Sequence, residues 1–169
     1  MKVKFLVFLA FLTFIFMACF FEQQRETETV QEKPKSKDVF SVADGTVLKV
    51  ALNNNVLDLV AANSPKAKSD GLSNKEEIPE DGMIFFFYEL EIQSFWMKDM
   101  KFPIDIIWVS GNEVVGIEKN VPPPPANAYM RDLEIYRSPE KADTVIELEA
   151  GMADKLNIVY GSTVRIWPN

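Results

Sequence analysis

The sequence contains no histidine and a single cysteine, Cys19, among its 169 residues. Without histidine there is no imidazole ligand for zinc, copper or haem, and no Ser-His or Cys-His catalytic pair. One cysteine excludes an internal disulfide. Cations are in deficit as well: Lys and Arg number 18 against 25 Asp and Glu, a net charge of −7. Nucleic-acid affinity rests largely on Lys and Arg displacing counterions from phosphates, so this balance speaks against a nucleic-acid partner. No loop has EF-hand spacing, and the residues imply neither a metal nor a cofactor.

What is present begins with a leader. MKVKFLVFLAFLTFIFMAC has a basic start at Lys2 and Lys4, an apolar run from Phe5 to Phe16, and then Met17-Ala18-Cys19. The run is too short to cross a hydrocarbon core of roughly 30 Å comfortably, but suits a signal peptide over residues 1–18. A cysteine directly after Ala18 resembles a bacterial lipoprotein lipobox. That resemblance implies a diacylglyceryl group on the sulfur of Cys19, which becomes the mature N-terminus. Removing residues 1–18 takes away Lys2 and Lys4 and leaves a net charge of −9. Residues 19–45 are mostly polar with mixed charge, and read as a flexible tether. As a coil its length beyond Cys19 averages about 25–30 Å end to end.

From Thr46 to Asn169 the pattern is that of one globular domain. TVLKVALN and VLDLVA flank Asn53-Asn54-Asn55, which predicts a hairpin, since asparagine tolerates positive φ. Ser64-Pro65 predicts a helix start, with Ser as N-cap, and the helix ends near Gly71. MIFFFY is apolar on both faces, as in a central strand, and SFWM is expected to pair near it. Pro103 precedes IDIIWV, and Ser110-Gly111-Asn112 turns the chain into EVVGIE. Residues 122–139 read as a long proline-rich loop. TVIELE alternates as a strand, GMADKLN forms a short helix with Asn157 as its left-handed end, and TVRIW is a closing strand. The predicted class is α+β, mainly β: a compact mixed barrel or sandwich of about nine strands with two short helices.

The ordered segments PEDGMIFFF, FWMKDMKFPIDII, VVGIE, YRSPEKADTVIELEAG and NIVYGSTVRI are similar to the domain-of-unknown-function 192 family, over about residues 46–168. The family's small bacterial and archaeal domains are often exported and have no established activity, so the resemblance implies a fold; the leader and tether lie outside it. Gly71-Leu72-Ser73, Asn157, Ser162 and the proline-rich stretch depart from the family pattern.

Candidate site residues cluster in and around SFWMKDMKFPIDIIW. Trp96 and Lys98 offer an aromatic platform with a cation beside it. The alternative, which the residue types favour, is core packing that ends in a solvated Lys98-Asp99 turn. Asp105 shares a strand face with Ile107 and Val109, where a carboxylate must be hydrogen-bonded or paired. Structural bonding to amides of the 98–102 loop is favoured over general acid or base use. Glu147 beside Val145 poses the same choice, with solvent exposure its usual outcome. Asp99, Asp105 and Glu147 form the set available to a carboxylate-dependent hydrolase.

These features predict a membrane-tethered extracytoplasmic lipoprotein of a bacterial cell envelope, a non-enzymatic binding or accessory module. Its partners would be the membrane, through the lipid on Cys19, and an envelope ligand or protein. The alternative is a hydrolase acting on envelope glycan or peptide. Cys19→Ser should move the protein from the membrane to the soluble fraction on cell fractionation; a variant that stays with the membrane overturns the lipid anchor.

Overall fold

The computed structural model describes residues 41–167. The predicted leader, Cys19 and the tether up to residue 40 lie outside the described residues. Nine strands and two short helices are found among the described residues. Strand β1 (Val47–Leu52) turns through Asn53, at φ 54°, into β2 (Asn55–Ala62), the expected hairpin, with Leu52 opposite Asn55. The globular body also takes in residues 42–45, which the sequence assigns to the tether. Val42 packs against the core, and Asp44 Oδ1 accepts from the Asn63 and Ser64 amides at 2.7 and 2.9 Å.

Helix α1 (Pro65–Asp70) starts where predicted: Ser64 Oγ accepts the Ala67 N–H at 3.1 Å, and Pro65 needs no amide partner. The crossover carrying α1 is long enough to lay β3 (Gly82–Glu91) parallel to β2. Strands β5 (Ile104–Ser110), β6 (Glu113–Val121), β8 (Ala142–Glu149) and β9 (Val164–Trp167) complete one mixed sheet in the order β6-β5-β8-β3-β2-β1-β9. Helix α2 (Met152–Lys155) fills the β8–β9 connection, with Asn157 left-handed after it at φ 53°.

The two edges of this sheet meet at one end. Glu113 at the start of β6 bridges Thr163, just before β9. The Val114 N–H donates to Ser162 O at 2.9 Å, and the Val164 N–H to Asn112 O at 2.8 Å. The sheet is therefore curled into a barrel closed by backbone bonds at that end.

Curling gives the sheet two buried faces. On the inner face lie Leu48, Leu59, Ile84, Phe86, Ile107, Ile146 and their neighbours. On the outer face lie Met83, Phe85, Ile104, Ile106, Trp108 and Val145, packed with Leu72, Met97 and Met100. Both β5 and β8 are central and covered on each side, so their residues are buried without alternation.

Two expectations fail in the outer layer. SFWM does not pair beside MIFFFY; β4 (Ser94–Trp96) pairs with β7 (Ile135–Arg137) in a separate two-stranded ribbon. Phe95 reaches the main sheet through its ring, 5.2 Å from Phe85 and 5.5 Å from Trp108 in edge-to-face contacts. The predicted 122–139 loop contains β7 and a 3-10 turn at Met130–Asp132. Three residues are too few for a readable period, and only the pairing to β4 makes them a strand.

Candidate functional site

A cavity of about 290 Å³ lies between the outer face of the sheet and the layer of α1 and β4. Its walls come from Phe85 and Phe87 of β3 and from Phe95 and Trp96 of β4, with Gly71, Leu72 and Ser73 following α1. Gly71 takes a positive φ of 45°, ending α1 and bringing the 71–73 turn over Phe85, whose ring would lie 3.6 Å from any Cβ there. The ring of Phe87 stands 6.2 Å from that of Phe95. Lys68 rests its ammonium 4.7 Å from the centre of the Phe87 ring. Desolvation there pulls the Lys68 pKa below its usual value, with Asp44 pulling weakly the other way.

Glu147 lines the same cavity. It sits in β8 directly opposite Ile106 on one side and Met83 on the other, so its strand neighbours on that face are apolar. The expected solvent exposure is wrong: the residue is 6% exposed, because β8 is a central strand under a second layer. Its Oε2 is buried without a hydrogen-bond partner. Burial pushes its pKa up to about 8, with no charged group contributing. At neutral pH the group is therefore mainly a neutral carboxylic acid. It can donate a hydrogen bond, or ionise when a cation comes to it.

Asp105 has the opposite environment. It is 0% exposed, and its Oδ1 accepts the Asn120 N–H while Oδ2 accepts the Ala153 N–H, both at 2.8 Å. The amides come from β6 and α2, whereas the sequence pointed to the 98–102 loop. Asn120 donates because β6 bulges there: Lys119 and Asn120 stand against Asp105 alone, with Asn120 at φ 53°. Ala153 donates because the first turn of α2 leaves its amide without a helical acceptor.

Asp105 is opposite Leu148, and Glu147 is opposite Ile106, so the two carboxyl groups leave opposite faces of the sheet. Asp99 lies elsewhere again, left-handed at φ 56° and 3.5 Å from Lys98 Nζ in an exposed ion pair. With Lys98, Lys101, Pro124 and Pro125 it borders a second recess. Thus Asp99, Asp105 and Glu147 do not converge on one cleft. Trp96 is not core: it is 42% exposed and borders the cavity of Glu147, while Phe95 and Met97 carry the inward packing. Lys98 does not border that cavity.

Lys68 and the three phenylalanines are site residues that sequence reasoning missed. Phe85 and Phe87 stand in a strand that reads as central core, and Lys68 lies in a short helix whose pattern singles out no side chain. Only the packing of α1 over β3 brings them to Glu147.

The model of the DUF192 family, described as "Uncharacterized ACR", matches residues 46–166. No curated protein matches the chain. Among solved structures, the chain is similar to a protein of unknown function from Novosphingobium aromaticivorans. The TM-score is 0.63 at 24% identity, covering 76% of this chain and 96% of that one. It is also similar to a Sinorhizobium meliloti protein described as a "putative transcription regulator". There the TM-score is 0.61 at 23% identity, covering 74% of this chain and 97% of that one. At these identities the likeness is one of fold.

Asp105→Asn places an amide NH₂ against one of two buried backbone donors, and should cost about 2–4 kcal/mol of stability. A lowered urea midpoint checks this; an unchanged one means the amides find other acceptors. For Glu147 the pH dependence has a definite sign. Between the ordinary value of 4.5 and about 8, the native state keeps a proton that the unfolded chain has released. Stability therefore falls as pH rises through that window, by at most about 1.4 kcal/mol per pH unit from this group. Glu147→Gln should remove that slope in denaturation curves taken from pH 5 to 8.

Proposed function

The chain belongs to the uncharacterised DUF192 family, and on that premise we propose that it is a small-ligand-binding module of a bacterial cell envelope. It is held on the membrane by lipid on Cys19 and performs no covalent chemistry of its own. The observation that carries the reading is Glu147: a buried carboxyl group with an unpartnered oxygen, lining an aromatic-walled cavity. Leaving a polar group unpaired in a protein interior costs about 1–3 kcal/mol. Nothing in the packing of β8 gains from it, because Val145 on the same face packs as core. A ligand that bonds to Glu147 recovers that cost. The cavity is small beside typical drug-sized sites of roughly 300–1,000 Å³, which favours a compact ligand.

Trp96 suits the same role. A half-exposed indole at a cavity mouth supplies contact area at little entropic cost. The placement of Cys19 after Ala18 supports the anchor, and the tether would let the cavity face away from the bilayer. The net charge of −7 supports a partner other than nucleic acid. The hydrolase alternative gains no support, since Asp105 is saturated by amides and faces away from Glu147.

In a thermal-shift screen of small polar metabolites, a compound that raises the Tm of the wild-type protein by a few degrees should raise it far less for Trp96→Ala and for Ser94→Trp. Equal shifts in all three proteins would put the ligand elsewhere and end this reading.

A further inference from the structure

The cavity sets one unpartnered acid among aromatic rings. Glu147 stands opposite Met83 and Ile106, and Phe85 is the next β3 residue on the same outer face. Diagonal neighbours across an antiparallel pair lie about 7–8 Å apart, so the acid and the Phe85 ring share one part of the wall. Phe95 meets the Phe85 ring at 87° and the Phe87 ring at 72°, edge to face in both cases. The charged groups bordering the cavity are already engaged. Asp70 pairs with Lys66 one helical turn away. Lys68 holds its ammonium over the Phe87 ring, with Asp44 acting on it. Glu147 keeps a buried oxygen with no partner.

We infer that the cavity takes an uncharged, flat ring compound whose hydrogen-bond acceptor meets the Glu147 carboxyl group and whose ring lies among Phe85, Phe87 and Phe95. The inference rests on the reading of this cavity as a ligand site and adds the ligand's class. A cavity of about 150 Å³ holds benzene, so one of about 290 Å³ admits a single substituted ring. Such a ring extends the edge-to-face packing that Phe95 already makes with Phe85 and Phe87. A cation would need Glu147 as a carboxylate, and Met83 and Ile106 offer no bond to the second oxygen of a full charge. It would also enter a cavity that Lys68 borders. An anion would have to draw Lys68 from the Phe87 ring and from Asp44. An uncharged acceptor requires neither: the acid donates its O–H, and no charge is buried.

Recognition by the acid form has a definite pH dependence. Burial alone raises the Glu147 pKa to about 8. Its cross-strand neighbours Met83 and Ile106 do not titrate. Glu149, two residues on in β8, is exposed, and Tyr136 of β7 donates its hydroxyl to Glu134 at 2.9 Å. Lys68 and Asp70 border the cavity, and no charged group contributes to the Glu147 shift. At pH 6 and 7 the free protein already carries the proton, so affinity is nearly flat and binding exchanges almost none. Above the pKa the ligand must recruit a proton, and affinity falls about fivefold from pH 8 to 9.

The test is calorimetric titration of the detergent-solubilised full chain with benzamide, benzoate, benzylamine and toluene at pH 6, 7, 8 and 9. At pH 7 benzamide should bind about tenfold more tightly than each of the other three, and about fivefold more weakly at pH 9 than at pH 8. Glu147→Gln keeps a hydrogen-bond donor on the same frame, so it should bind benzamide almost unchanged and without pH dependence. Glu147→Met removes the donor and should lower benzamide to the level of toluene. If benzylamine binds tightest, with affinity rising as pH rises, the site takes a cation; if benzoate binds as well as benzamide, it admits an anion. Either result overturns the uncharged ring and leaves the cavity a ligand site. Benzamide no tighter than toluene, or equally tight in Glu147→Met, removes the bond to Glu147 and the inference with it. If none of the four binds while a metabolite of another class shifts Tm in a Trp96-dependent way, the ring is wrong and the cavity reading stands. If no compound does either, both readings fall.

Discussion

Two hydrogen bonds accepted by one carboxyl group hold the ends of this barrel's elements in place. Asp105 lies in β5, the amides it accepts belong to β6 and α2, and nothing else in their local sequence could satisfy both. The bulge at Lys119-Asn120 turns one amide out of the ladder, and the helix start supplies a second. A buried carboxyl group would ordinarily be a liability, but here two N–H groups that would themselves be costly to bury are its partners. The β8–α2 connection, and with it the approach to β9, depends on that arrangement.

The same sheet gives a second carboxyl group the opposite treatment. One register step along β8 from the partner of Asp105, Glu147 emerges on the outer face among Met83, Ile106 and the rings of the covering layer. Asp105 is bonded through both oxygens and Glu147 has an oxygen bonded by nothing. A sheet covered on both sides can separate a bonded acid from an unpartnered one by a few ångströms of backbone, because period-two alternation decides which layer each meets. The close approach of β3 to β8 at this point is also specific. A Cβ on Gly82 would lie 2.2 Å from the Glu147 carbonyl oxygen, so only glycine lets β3 enter beside it.

Much of the fold was legible in the sequence, and the parts that were not share a cause. The Asn53 hairpin, the Ser64-Pro65 helix start, the central MIFFFY strand and the left-handed Asn157 rest on local chemistry and stand as read. β7 and the partner of β4 were not legible, since a three-residue strand exists only through its neighbour. For Asp105 the need for backbone donors was readable from its apolar strand, but their source was not, because Asn120 and Ala153 are brought by a bulge and by a helix three strands further along the chain. Glu147 and Trp96 were misplaced for one reason. Exposure of a strand residue depends on whether a second layer lies over it, and that layer is tertiary. The resemblance to an uncharacterised family carried the architecture without naming any side chain as a ligand's partner.

The meeting of β6 and β9 through Glu113 and Thr163 has a consequence for how copies of this chain behave side by side. An open sheet offers unpaired N–H and C=O groups to any neighbour, and crowding makes such encounters frequent. Here the curl spends part of both edges on each other. The rest of β6 carries the Asn120 bulge and Lys119, whose ammonium is drawn 2.5 Å from Asp154. A bent, charged edge is a poor template for a growing ladder. The architecture thus lets copies of the domain be crowded without polymerising through their strands.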